Sequence, residues 1–311
     1  GTFAEAVLLE TVILSILNYD SAVASAASRM HTAASGRFLA EMGARRAHES
    51  AAIAAARAAF IAGFDATSNL EAGRSWGIPT MGTSAHSFTL LHDSEKEAFE
   101  AQIASMGPDT TLLVDTYDIS AAVKMAVELT GGKVAAVRID SGDLGSTAVE
   151  VRRQLDDLGA KQTKIVVTSD LDEYTIAALS AAPVDRFGVG TSLVTGSGNP
   201  TAGFVYKLVA HTDGADWTEV AKTSKSKTNR GGEKRASRLI ESGIASAELI
   251  GSDAGRPLQV ELMSQGKADK QYLGQQGVRA AKAHHLDAKA ELPKTALRLS
   301  KGDPAIPTVF S

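Results

Sequence analysis

The chain has 311 residues, 44% hydrophobic and 22% charged, which is the balance of a globular protein with room for one large domain or two ordinary ones. A net charge of −4 gives no basis for a nucleic-acid partner or a membrane surface. The absence of cysteine excludes disulfides, thiolate nucleophiles and cysteine metal sites, and fits a cytoplasmic protein.

Residues 5–30, rich in Ala, Leu and Val, predict a helix. Its apolar start, residues 6–17, contains Glu10, is too short for a membrane span and lacks the basic leader of a signal peptide. The chain opens inside this helix without a Met, which predicts that an N-terminal portion precedes it. Residues 36–44 read as a loop, and residues 45–62 as an Ala-rich helix ending at Gly63. Short strands are expected over 65–69 and 78–81. Ser94, with Glu97 in the capping-box position, starts a helix to Met106.

From there strands and helices alternate: strands over 111–115, 133–139, 163–168 and 186–190, helices over 119–130, 144–158 and 172–181. Continuous apolar strands between helices mark a buried parallel sheet. Polar clusters follow almost every strand, and a β/α barrel brings such clusters to one mouth, so a barrel is favoured over an open sheet. After Gly198 the pattern changes. Residues 204–211 and 217–223 read as antiparallel strands, 222–238 as a basic loop and 280–291 as a helix, with an irregular end.

Several clusters can carry chemistry. Gly188-Val189-Gly190-Thr191-Ser192 follows a strand and suits either a phosphate cradle or a plain tight turn. Alternation places Arg138 and Asp140 on one strand face, where the arginine can grip a carboxylate in a bidentate way and the aspartate can accept sugar hydroxyls. A structural Arg–Asp pair is the other reading. Ser169, Asp170 and Asp172 can bind hydroxyls or a phosphate-bound metal, although Asp172 is better placed to cap a helix. His86, past Gly82, Thr83 and Ser84, is a general base, a nucleophile, a phosphoryl acceptor or a structural histidine. Arg45 and Arg46, with His48, face an anionic ligand or water, and His284-His285 reads as surface. No metal-ligand set is visible.

Taken together, Glu41-Met-Gly-Ala-Arg45-Arg46, Gly77-Ile-Pro-Thr-Met-Gly82-Thr83-Ser84-Ala85-His86-Ser87, Val114-Asp115-Thr116-Tyr117-Asp118, Arg138-Ile-Asp140-Ser-Gly-Asp143, Thr168-Ser169-Asp170-Leu-Asp172, Gly188-Val-Gly190-Thr191-Ser192 and Gly203-Phe-Val-Tyr-Lys207 resemble the nicotinate phosphoribosyltransferase family. The resemblance implies an α/β fold: an irregular TIM-like β/α barrel of the type II phosphoribosyltransferase kind, with a second α+β domain formed from the chain ends. The corresponding division is a helical lead-in over 1–35, a barrel core over 36–198 and a C-terminal α+β region over 199–311. It implies an ATP-coupled ligase of NAD biosynthesis that converts nicotinate and phosphoribosyl pyrophosphate to nicotinate mononucleotide and pyrophosphate, with Mg²⁺ carried by substrate phosphates.

By motif, His86 is the transiently phosphorylated histidine, Thr83 and Arg138 contact nicotinate, and Asp140 holds ribose hydroxyls. Gly190 and Thr191 bind the 5′-phosphate of the ribosyl substrate, Arg45 approaches pyrophosphate or ATP phosphates, and Ser169 and Asp170 are further substrate-binding residues. A homodimer with the site at the subunit interface is also implied. The competing readings are a nicotinamide phosphoribosyltransferase, a sugar-phosphate barrel enzyme of another class and a non-catalytic scaffold.

Overall fold

The computed structural model describes residues 1–224 and 227–310. Two compact units result: residues 20–200 form one, and residues 1–19 with 201–311 form the other.

The first unit is built on a six-stranded parallel sheet. Its strands are β1 (Phe38–Glu41), β2 (Ala66–Thr67), β3 (Thr111–Leu113), β4 (Ala136–Ile139), β5 (Lys164–Val167) and β6 (Arg186–Val189), in the spatial order β2-β1-β6-β5-β4-β3. Placing β6 beside β1 makes the order cyclic, so the sheet is a curled half-barrel open between β2 and β3. Ile165, Val166, Val167, Leu112, Leu113 and Val137 are all buried, because helices cover one face and side chains fill the other. Each such residue contributes about 1.5–3 kcal/mol of burial.

The helices of this unit follow the strands: α1 (Phe3–Ala34, entered from the other unit), α2 (Glu49–Ile61), α3 (Leu70–Trp76), α4 (His86–Leu90), α5 (Glu95–Met106), α6 (Ile119–Leu129), α7 (Leu144–Asp157), α8 (Glu173–Ala178) and α9 (Thr191–Val194). Their starts are set by side-chain caps. Ser94, Asp118, Asp143 and Asp172 each accept a hydrogen bond from the backbone three residues on. Asp172 therefore serves as the cap of α8. On α2, buried Ala52, Ala55, Ala56, Ala58 and Ala59 allow close approach, and Ala56 packs with Ala72 and Ile78.

Several local expectations change. Residues 38–41, read as loop, are the strand between β2 and β6, and the charge of Glu41 conceals an otherwise apolar run. The expected strand over 78–81 is one bridge, Thr67 to Thr80. The helix expected from residue 45 begins at Glu49, after a 3-10 turn over Ala44–Arg46. The first helix runs on to Ala34, and by length and composition it is long and apolar enough to cross a membrane. Its Ala22, Val23, Ala26, Ala27, Met30 and Ala34 are buried in the protein core.

The second unit is strand-rich. β7 (Ala210–Thr212) pairs with β8 (Trp217–Glu219), and β9 (Thr223–Ser224) with β10 (Lys227–Thr228). β11 (Ala236–Glu241), β12 (Ile244–Ile250) and β13 (Arg256–Pro257) belong to a four-stranded sheet. A separate hairpin joins β14 (Met263–Ser264) to β15 (Lys267–Ala268). α10 (Gly274–Ala290) starts earlier than the expected residue 280, and the end is not wholly irregular, since β16 (Thr308–Phe310) adds to β12 in parallel. Of the strand expected over 204–211, residues 204–209 form no strand, and pairing covers only Ala210–Thr212. Of the basic segment 222–238, Lys225 and Ser226 lie outside the described residues.

Candidate active site

Two cavities open at the carboxyl ends of the half-barrel strands, where α/β enzymes bind ligands. One, of about 200 Å³, is lined by Arg45, Arg46, Ser169, Asp170, Gly190 and Thr191 among others. The other, of about 310 Å³, is lined by Ser68, Gly82, Thr83, Ser84 and His86 among others. Met42, Arg45, Arg138 and Asp140 line both. The larger cavity is at the lower end of small-molecule sites and the smaller suits a compact polar group, so the mouth is a two-part site.

Arg138 is the third residue of β4, and Asp140 follows two positions later on the same face. The Arg138 Nη2 lies 2.8 Å from Asp140 Oδ1. Nε donates to Thr168 Oγ1 at 2.8 Å, and Nη1 donates to Thr83 Oγ1 at 2.8 Å and to the Ser84 carbonyl at 3.1 Å. The structural pair and the cavity-lining arginine are therefore one arrangement. Of the five guanidinium hydrogens, these bonds leave one on Nη2 uncommitted among the described residues. The expected bidentate grip on a carboxylate thus needs the Thr83 or Ser84 contact to open.

His86 begins α4 after the Gly82-Thr83-Ser84 turn. Its Nδ1 is 3.2 Å from Thr116 Oγ1, and its Nε2 is 3.9 Å from Asp115 Oδ1 and 3.8 Å from Asp140 Oδ2. Asp115 is held by Asp140 N and Ser141 Oγ, each donating to Oδ2 at 2.8 Å. Its buried Oδ1 has no hydrogen-bond partner among the described residues. Burial pushes the Asp140 carboxyl up, but hydrogen bonds from Thr168 and Arg138 and the nearby charges of Arg138 and His86 outweigh burial and hold it below its ordinary value.

Gly190 precedes α9, and Thr191 opens it. The first N–H groups of a helix have no intrahelical partner, which suits an anion beside them. Across the smaller cavity, Arg45 and Arg46 present charge from the 3-10 turn. Ser169 sits at φ 121°, a region that L-residues rarely adopt and that often marks a functional turn. All nine sequence-predicted site residues, His86, Asp140, Thr83, Arg138, Arg45, Ser169, Asp170, Gly190 and Thr191, line one or both cavities. His48 lines neither, and His284 and His285 belong to the other unit.

Sequence reasoning missed Asp115, Thr116, Thr168 and Met42 as individuals, and the buried Glu41 that supports the turn beside them. Asp115 and Thr116 stood in a flagged strand-end cluster whose Asp118 proves to be a helix cap. Glu41 carried no signal beyond its motif. It is fully buried at the end of β1, accepts from Gly43 N and, at 2.5 Å, from Thr67 Oγ1, and burial raises its pKa against those two bonds.

A sequence profile of the nicotinate phosphoribosyltransferase (NAPRTase) family matches residues 38–247. Nicotinate phosphoribosyltransferase pncB1 of Mycobacterium tuberculosis is 50% identical over 99% of this chain and 71% of its own length. A crystal structure of nicotinate-nucleotide pyrophosphorylase from Pyrococcus furiosus superimposes with a TM-score of 0.72 and 25% identity, covering 91% of this chain and 73% of that one. That of human nicotinic acid phosphoribosyltransferase shares the fold with a TM-score of 0.76 at 24% identity, over 98% of this chain and 74% of that one. The matched span contains every residue that lines the two cavities, and the chain belongs to the nicotinate phosphoribosyltransferase family.

Proposed function

We propose that the protein transfers a phosphoribosyl group from phosphoribosyl pyrophosphate to nicotinate, releasing pyrophosphate, with ATP hydrolysed through a transient phosphohistidine at His86. The observation that carries the reading is the meeting of His86, Arg138 and Asp140 between an arginine- and glycine-lined cavity and a second, larger one. The pyridine nitrogen attacks the anomeric carbon as the bond to pyrophosphate breaks. Positive charge grows on the ribose ring, so positioning and charge placement dominate the rate.

In this reading the larger cavity takes nicotinate, with Thr83 and the uncommitted Arg138 N–H toward its carboxylate. Asp140 Oδ2 faces the ribose hydroxyls. Gly190 and Thr191 hold the ribosyl 5′-phosphate, Ser169 and Asp170 line the same cavity, and Arg45 faces pyrophosphate or ATP phosphates. Asp115 Oδ1, buried and without a hydrogen-bond partner among the described residues, and Asp140 Oδ2 both approach His86 Nε2. Mg²⁺ would be carried mainly by the substrate phosphates, whose charge it would neutralise. Phosphorylation of His86 changes the charge of the mouth and so couples ATP to substrate affinity.

The fold detail in this reading is the type II phosphoribosyltransferase barrel, TIM-like, with a second α+β domain. A homodimer with the site at the subunit interface belongs to the same reading.

The test is pyrophosphate release from phosphoribosyl pyrophosphate and Mg²⁺-ATP, with nicotinate and nicotinamide in parallel. Release with nicotinate alone, stimulated by ATP, is expected. Release with nicotinamide alone assigns the sister activity, and release with neither overturns the reading.

A further inference from the structure

We propose that Thr168 is a positioning residue for the transfer reaction, whose single hydroxyl orients both Arg138 and Asp140. This inference rests on the function proposed above.

Thr168 directly follows β5 and is 4% exposed. Its Oγ1 accepts from Arg138 Nε at 2.8 Å. A guanidinium N–H only donates, so the threonine hydrogen is free to be given elsewhere. It goes to Asp140 Oδ1. With Asp140 ionised, the order of donation is therefore fixed, from Arg138 to Thr168 to Asp140.

The same Asp140 oxygen also receives Arg138 Nη2 at 2.8 Å. With Oδ1 taken twice, Oδ2 is the oxygen turned toward His86, 3.8 Å from Nε2. Thr168 thereby selects which carboxylate oxygen faces the ligand, and it holds the guanidinium from the edge opposite Thr83 and Ser84. Space for it comes from the neighbouring strand. A Cβ on Gly188 would lie 2.6 Å from Thr168 Cγ2 and 2.7 Å from Met42 Sδ. Glycine at this position is explained by the seating of Thr168, independently of any phosphate. The bond from Thr168 is also among the interactions that hold the Asp140 carboxyl low, in agreement with the geometry.

The test uses Thr168→Val, which keeps the shape and removes both hydrogen bonds, and Thr168→Ser, which keeps the hydroxyl. Two readouts are taken on the full-length protein: the carboxyl ¹³C titration of Asp140, assigned with Asp140→Asn, and the kinetic constants for nicotinate and phosphoribosyl pyrophosphate. In Thr168→Val the Asp140 titration moves upward, the acid limb of the pH profile follows it, and kcat/KM falls by about 10- to 100-fold. Thr168→Ser restores both.

A Val variant that titrates and turns over like wild type overturns the proposal. So does a Ser variant as impaired as the Val variant, which would make the methyl and its packing the cause. If the Val variant does not fold, Thr168→Ala replaces it with the same expectations. Wild-type protein that releases no pyrophosphate fails the functional reading alone, and the Asp140 titration still decides the role of Thr168.

Discussion

His86 and Thr116 meet across the open edge of the half-barrel, with Nδ1 3.2 Å from Oγ1. One follows the segment bridged to β2 and the other follows β3, the two strands that the sheet leaves unpaired with each other. This contact occupies one imidazole nitrogen and turns the other toward Asp115 and Asp140. His86→Ala is therefore expected to abolish phosphoprotein formation and ATP stimulation, with little change in fold because the ring is 39% exposed. Incubation with γ-labelled ATP checks this, and label retained in the variant excludes His86 as the acceptor.

Arg138→Gln is expected to weaken nicotinate by about 10- to 100-fold more than nicotinamide, because a charge-assisted hydrogen bond to a carboxylate contributes roughly 1.5–3 kcal/mol. Its side chain is 11% exposed, so the same change also strips a nearly buried partner from Asp140 and lowers thermal stability. Direct binding of both pyridines separates the effects. Equal losses for the two ligands remove Arg138 from carboxylate recognition.

Legibility in the sequence followed the physics of each segment. β4, β5 and β6 were readable because Val, Ile and Phe runs between capped helices have few other solutions, and the residues placed at their ends do converge. β1 was not, since three residues and a glutamate between Gly36 and Gly43 carry no strand period, and its pairing with β6 spans the chain. β16 was hidden for the same reason: three residues gain their strand from a distant partner. At the site, Arg138 and Asp140 were readable by alternation. The bridge through Thr168 was not, because it joins two strands and its donor order exists only in three dimensions.

Thr191→Val keeps volume and removes a hydroxyl at the start of α9, where the smaller cavity ends. A raised KM for phosphoribosyl pyrophosphate is expected, by about 3- to 10-fold for one neutral hydrogen bond of roughly 0.5–1.5 kcal/mol, with kcat nearly unchanged. Steady-state kinetics at saturating nicotinate measure it. An unchanged KM moves the 5′-phosphate away from Gly190 and Thr191.

Asp140 and Glu41 predict opposite dependences of stability on pH. Asp140, where burial is outweighed by bonds from Thr168 and Arg138, is held below its ordinary value in the folded state. It contributes stability above the ordinary carboxylate range, and that contribution is lost as pH falls through its folded value. Glu41 is raised by burial, more than its bonds from Thr67 and Gly43 lower it. Its contribution is complete below the ordinary glutamate value and is lost as pH rises through the higher folded value.

Asp140→Asn should therefore flatten the acid side of the stability profile. Glu41→Gln should flatten the fall above the ordinary glutamate range, although it also breaks one of the two bonds that tie Gly43 and Thr67 to β1. Urea unfolding across a pH series reads the slopes rather than the absolute stabilities, so a uniform loss in either variant does not obscure the result. Profiles parallel to wild type in both variants would show that neither carboxyl titrates differently in the folded and unfolded chains.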